Sequence, residues 1–394
     1  MSSYSGAVEA INLIERTYRE LNAQGRRVLK LFSGNPNDQG FHFPSSILEK
    51  VYLPYFKTQE YHPHSKGLQV AREAIAAYYE GQGARVDPEH LILTSGTSES
   101  FFYLFSLLTE PGDNVLVPNP AYPLFDYIAQ MARIELRHYS LREEKDWRVD
   151  VEEMKAKADE RTKAILLVSP NNPTGAVHSA EQLREIVEWA NEQEIPLICD
   201  EVFAEFYFGA GHFPRPIAIS APRLCFTLNG ISKMFALPGL KLSWIAVTGE
   251  TSLVEKAVDR LETVADTFLS CHIPIQQALP LLFSEGKEFL KSYHHEVGHR
   301  RVLAVHELQR FPEIRFVSPE GGFYLTGEIA KPLPCSEEEF VIRLMREKEV
   351  FVHPGYFFDY EKGIHFVISF LTEPEALRSG IERLGEFVKG LHHV

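Results

Sequence analysis

Seven short, nearly uninterrupted apolar runs lie between residues 90 and 248: "HLILTS" (90–95), "NVLVP" (114–118), "RIELRHY" (133–139), "AILLVS" (164–169), "PLICD" (196–200), "LCFTL" (224–228) and "SWIAVT" (243–248). Amphipathic stretches such as "SAEQLREIVEWANEQ" (179–193) separate several of them, with Ser179 placed to cap its helix and Gln182 three positions on. A strand that is apolar on both faces must be covered on both, so this alternation predicts an α/β fold. Its large domain holds a mostly parallel, seven-stranded sheet sandwiched by helices. In such sheets ligands bind outside the carboxyl ends of the strands. Those ends are therefore where chemistry is to be sought.

The flanks read differently. Residues 4–24 predict an amphipathic helix with Val8, Ile11, Ile14 and Leu21 near one stripe, followed by the Gly-, Pro- and Asn-rich "SGNPNDQGFHFPSS". After about 280 come a long helical pattern (286–311), short strands, a helix at 337–348, more strands and a last helix from 373. This predicts a smaller α+β domain built from 1–44 and 281–394, beside a large domain over 45–280. A chain of 394 residues is long enough for two domains.

Charge and composition narrow the partners. A net charge of −14 disfavours nucleic acid, because a phosphate backbone selects a basic surface. No run approaches the ~20 apolar residues of a membrane span, and no signal-peptide core is seen. Cys199, Cys225, Cys271 and Cys335 are far apart, which argues against a zinc or disulfide framework and for a reducing, cytoplasmic setting. The histidines of "YHHEVGHR" lack cysteine company, and no metal site is expected.

Five strand ends carry unusual residues. "TSGTSES" places Ser95, Gly96 and Thr97 at a helix start, which serves either as a simple cap or as an anion cup. "NPAYP" holds Tyr122 between prolines, as a packed loop aromatic or as a platform under a flat ring. "SPNNPTGAV" offers Asn172, or mere turn chemistry. Asp200 ends an apolar run and needs a partner, a salt bridge or cap on one view and a protonated ligand nitrogen on the other. Lys233, in "LNGISKMFALPGLKLSWIAV" (228–247), is either a surface-loop lysine or an amine facing the crevice.

Taken in this order, "SPNNPTG", "DEVFAEF", "SKMFALPGLKLSW" and "YHPHSKGLQVAREAIAAYY" (61–79) resemble the class I/II family of pyridoxal-phosphate-dependent aminotransferases, of fold type I. The resemblance runs from about 31 to 390. It implies pyridoxal 5'-phosphate as cofactor, a Schiff base at Lys233, Asp200 on the pyridine nitrogen, Asn172 on the phenolic oxygen and Tyr122 stacked on the ring. Ser95, Gly96, Thr97, Ser232 and Lys241 would hold the phosphate. Tyr61 would reach it from a second subunit of a homodimer. The implied reaction moves an amino group from an amino donor to a keto acid.

Departures from the family pattern bear on the substrate. Phe203 stands where a tyrosine usually bonds the phenolic oxygen. Gly230 replaces a phosphate-binding serine, and Lys241 an arginine. Val367, in "GIHFVISF", occupies the place of the arginine that clamps the substrate carboxylate, so either another basic group, for instance Lys66 or Arg27, takes the carboxylate, or the substrate presents none there. Tyr356 points to a reshaped pocket. Two alternatives remain at this level: a carbon–sulfur lyase or decarboxylase of the same fold, and a non-enzymatic effector-binding relative, which the acidic charge disfavours.

Overall fold

The computed structural model describes residues 12–360 and 362–391. All seven expected strands form, as β1 (Leu91–Thr94), β2 (Asn114–Asn119), β3 (Glu135–Arg142), β5 (Thr162–Val168), β6 (Leu197–Asp200), β7 (Leu224–Gly230) and β8 (Ser243–Gly249). An eighth, β4 (Arg148–Val149), adds a two-residue antiparallel edge beside β3 that no apolar run announced. The spatial order is β1-β8-β7-β6-β5-β2-β3-β4. Strands β7, β6, β5, β2 and β3 pair in parallel, whereas β8 runs antiparallel to both β7 and β1. The link from β7 to β8 is the short segment 231–242, which holds no full crossover helix, so the chain returns antiparallel.

Side chains alternate across the sheet with the period of two that a strand imposes. Val115, Val117, Leu166, Ile198 and Phe226 pack on one face under the helices Thr97–Leu108 and Thr251–Phe268. Leu116, Ile165, Leu167, Leu197 and Cys225 face the other side, against the helix Ala180–Glu192. Ser179 caps that helix, its hydroxyl accepting from the Gln182 amide at 3.2 Å. The Gln182 side chain does not reach back to complete a capping box, because it donates to the Val149 carbonyl at 3.3 Å.

The second sheet is antiparallel, in the order Ile314–Phe316, Tyr324–Ile329, His365–Ser369, His353–Pro354. Helices Lys287–Leu308, Glu337–Lys348 and Pro374–Leu391 accompany it. Its core takes Phe340, Phe366, Ile368, Leu377 and Leu384 from the C-terminal part, and Ile14, Leu21 and Leu31 from the N-terminal part. Each such side chain, fully buried, contributes about 1.5–3 kcal/mol. Leu29–Lys30 also pairs in parallel with Val350–Phe351. The first helix is seen over Leu13–Ala23, with Asn12 accepting from the Glu15 amide at 2.8 Å. Residues 4–11, with Val8 and Ile11, lie outside the described residues.

Candidate active site

Parallel strands deliver their carboxyl ends to one edge of the sheet, and a cavity of about 230 Å³ lies there. Ser95, Gly96, Thr97, Tyr122, Asn172, Asp200, Phe203, Ser232, Lys233 and Lys241 all line it. Tyr61, the remaining candidate, is 62% exposed and stands apart from this cavity.

Lys233 sits in the single turn Ile231–Met234, which β7 feeds directly into the crevice. Its Nζ donates to the Gly34 carbonyl at 2.8 Å and lies 6.0 Å from the ring centres of both Phe203 and Phe323. Among the described residues no carboxylate faces it closely, and burial pushes the amine down to about 8. Near neutral pH an appreciable share of this lysine is therefore unprotonated. That is what a nucleophilic or proton-moving amine requires.

Asp200 closes β6 on the face beneath the helix Thr97–Leu108. It is 7% exposed, and its Oδ1 accepts from the Val202 amide at 3.0 Å. Burial, helped by the neighbouring Glu201 charge and opposed by that amide, raises the carboxyl to about 6. Among the described residues no lysine or arginine pairs with it. The salt bridge considered for Asp200 belongs instead to Glu201, whose Oε2 accepts from Arg215 Nε at 2.7 Å.

The two asparagines of "SPNNPTG" divide their tasks. Asn171 is spent on the turn, its Oδ1 accepting from the Thr174 amide and hydroxyl at 3.1 and 2.9 Å. Asn172 lines the cavity, and among the described residues its buried Oδ1 has no partner. At the start of the helix Thr97–Leu108, the Ser95 amide donates to the Glu99 carboxylate at 2.9 Å. An anionic oxygen is already drawn to this turn, as the helix dipole favours. Tyr122 borders the cavity edge-on to Phe125, with ring centres 6.1 Å apart. Burial, then the Asp200 charge, raises its hydroxyl.

Tyr324 and Ser243 are among the lining residues that were not foreseen. Tyr324 comes from the second sheet, and only a glycine at 34 lets it approach: a Cβ there would lie 1.8 Å from the Tyr324 Oη. Ser243 opens β8. Because β8 is antiparallel, its amino end meets the carboxyl ends of its neighbours, which a search confined to carboxyl ends passes over.

Other expectations need correction. Val367 is fully buried in the strand His365–Ser369, facing Thr326 and His353 in register. Neither substitute cation lines the cavity. Lys66 is held by Glu89 at 2.7 Å, and Arg27 is exposed. Tyr356 also stands outside the lining and is 41% exposed.

The pocket's own chemistry fits pyridoxal phosphate. It holds a buried carboxylate without a cation and an amine resting on one backbone carbonyl. Those two match a ring nitrogen and an aldehyde, and Asn172 in the same lining carries the amide N–H that a ring oxygen substituent would accept from. A helix start with hydroxyls beside it matches a phosphate. Fold and cavity together define a fold type I pyridoxal-phosphate enzyme.

Comparison with known proteins gives the family. Residues 26–384 match the family described as aminotransferase class I and II. The chain is 32% identical over 376 residues to glutamate-pyruvate aminotransferase AlaA of Haemophilus influenzae, covering 93% of this chain and 92% of that protein. It is 30% identical over 376 residues to alanine aminotransferase of Mycobacterium tuberculosis, covering 93% and 87%. The solved alanine aminotransferase from Pyrococcus furiosus superposes with a TM-score of 0.92 at 28% identity, covering 99% of this chain and 100% of that one. The chain belongs to the class I and II aminotransferases and is a pyridoxal-phosphate-dependent transaminase.

Proposed function

We propose that the enzyme exchanges the amino group between alanine or glutamate and the matching keto acids, with Lys233 as the residue that carries the cofactor and moves the proton. The single observation that supports this most is the lone, desolvated Lys233 amine in the same cavity as the unpaired Asp200 carboxylate. The relatives named above are alanine and glutamate-pyruvate aminotransferases, which favours these substrates.

When bound, pyridoxal phosphate supplies an electron sink for charge developing at the substrate's α-carbon. The chain does the rest. Lys233 Nζ is the amine that would hold the cofactor's aldehyde and that, when free of it, could take and return the α-proton. Asp200 would hold a proton on the ring nitrogen through a charge-assisted bond. Asn172 would hold the phenolic oxygen through its amide N–H, and Tyr122 would flank the ring. Ser95, Gly96, Thr97, Ser232 and Lys241 grip the phosphate, the glycine and its neighbours through backbone N–H groups. Phe203 lends no hydrogen bond but, with Phe323, keeps the amine dry.

A homodimer is part of the same proposal, with Tyr61 reaching a neighbour's phosphate. Its exposure beside exposed Leu53 and Phe56 supports this. A core drawn mainly from residues 14–41 and 293–388, joined by Phe203, Phe206 and Ala236 of the large domain, supports the division into 45–280 and 1–44 plus 281–394. Four free cysteines support a reducing, cytoplasmic setting.

The test is to supply cofactor, alanine and 2-oxoglutarate, then follow pyruvate and glutamate. Stoichiometric formation of both is expected. Pyruvate and ammonia from an amino acid without any keto acid would favour the lyase alternative instead.

A further inference from the structure

The family pattern places a phosphate-binding hydroxyl at residue 230, and here residue 230 has no side chain at all. Its backbone is extended (φ −178°), which any residue can adopt, so conformation does not require glycine. Space does. A Cβ at Gly230 would lie 2.3 Å from Ser243 Oγ and 2.8 Å from the Leu242 carbonyl oxygen. The place a residue-230 side chain would enter is already taken by the Ser243 hydroxyl.

Register explains why. Gly230 and Ser243 face each other across β7 and β8, and Ser243 faces Thr94 across β8 and β1. Thr94, Ser243 and Gly230 thus form one row on one face of the sheet, at the edge that opens into the cavity. The hydroxyls of this row differ in availability. Thr94 Oγ1 lies 2.8 Å from Ser100 Oγ and 3.3 Å from the Gly96 carbonyl, so it is committed to the turn. Ser243 is 3% exposed and lines the cavity with Ser95, Gly96, Thr97, Ser232 and Lys241. Among the described residues its Oγ makes no hydrogen bond. A hydroxyl on a residue only 3% exposed, uncommitted and lining the same cavity as the anion cup, has an obvious use.

We infer that Ser243 Oγ supplies the sheet-borne hydroxyl to the cofactor phosphate, the group having moved one strand across at the Gly230–Ser243 pair. The inference rests on the cavity being the cofactor site and names a ligand the family pattern does not assign. It also accounts for glycine at 230: with the hydroxyl coming from β8, a side chain on β7 would collide with it.

The experiment measures cofactor binding to cofactor-free protein, by absorbance and fluorescence titration, for pyridoxal phosphate and for pyridoxal. Ser243→Ala keeps the Cβ and removes only the hydroxyl. Losing one hydrogen bond to a charged group should weaken pyridoxal phosphate about tenfold or more. Pyridoxal, which has no phosphate, should bind the variant as it binds the starting protein. The phosphorus resonance of the bound cofactor should shift as well. Should Ser243→Ala fail to show a cooperative melt, Ser243→Cys, which preserves size with a weak donor, carries the same expectations. Unchanged phosphate-cofactor affinity overturns the inference, and so does an equal loss for both ligands, which would mark a packing effect. If the starting protein takes up neither ligand, the cofactor site itself is misplaced and the inference falls with it.

Discussion

Two carboxylates stand side by side at the end of β6, and the protein treats them in opposite ways. Glu201 is 2% exposed and turned toward the interior, where Arg215, itself 1% exposed, meets it at 2.7 Å. That guanidinium also donates to the Tyr78 hydroxyl at 3.4 Å and lies 5.1 Å from the centre of the Phe213 ring. Tyr78 in turn donates to Glu205. Burial pushes the Glu201 carboxyl up and Arg215 pulls it back. Asp200 is almost as buried but faces the cavity, with one backbone amide and no cation. A structural carboxylate carries its counter-charge within the fold; a binding carboxylate leaves that place for the ligand.

The largest expected effect breaks the paired side. Arg215→Met leaves Glu201 buried and alone and should cost about 3–5 kcal/mol in urea unfolding. A loss under about 1 kcal/mol would mean that Glu201 is no better served than Asp200.

The next effect concerns the amine opposite Asp200. The folded Lys233 has its pKa lowered from 10.5 to about 8, so the cofactor-free fold disfavours the charged form. That penalty is full below pH 8 and gone above 10.5. Lys233→Met should therefore stabilise the cofactor-free protein by up to about 3 kcal/mol at pH 7, the gain shrinking as pH rises between those limits. A pH-independent gain would assign the effect to packing.

The smallest concerns Asp200. Its folded pKa is raised from 3.8 to about 6, so the fold binds this proton more tightly than the unfolded chain does. Stability from this group is present below pH 3.8 and is lost as pH rises through 6. Asp200→Asn should stabilise the cofactor-free protein by about 2–3 kcal/mol at pH 7 and have no such effect below pH 3.8. Saturating cofactor should erase the advantage, because the wild-type carboxylate then gains its partner. An advantage that persists would show that no cation reaches Asp200.

The same contrast separates what could be read from the chain and what could not. Strands β1, β2, β5, β6, β7 and β8 were legible because burial on both faces leaves continuous apolar runs, and β3 by the apolar residues that interrupt its half-buried polar ones. Arg148–Val149 was not, being a two-residue edge with an exposed arginine. Asp200, Asn172 and Lys233 were legible because parallel strands bring their carboxyl ends together. Ser243 was hidden by the reversed direction of β8. Tyr324 was hidden because its approach to Gly34 joins segments distant in sequence. The salt-bridge alternative for Asp200 was sound chemistry attached to the wrong neighbour, since only the fold reveals that Arg215 lies behind Glu201. Arg27 and Lys66 failed as substrate cations for the same reason: a charge in the sequence does not say where its side chain is held.

The central claim is that the Lys233 amine carries the cofactor. Protein loaded with pyridoxal phosphate, reduced with borohydride, digested and read by mass spectrometry should show one pyridoxyl-phosphate label, on the peptide containing Lys233. A label on Lys241 or Lys66, or none after full loading, would contradict it.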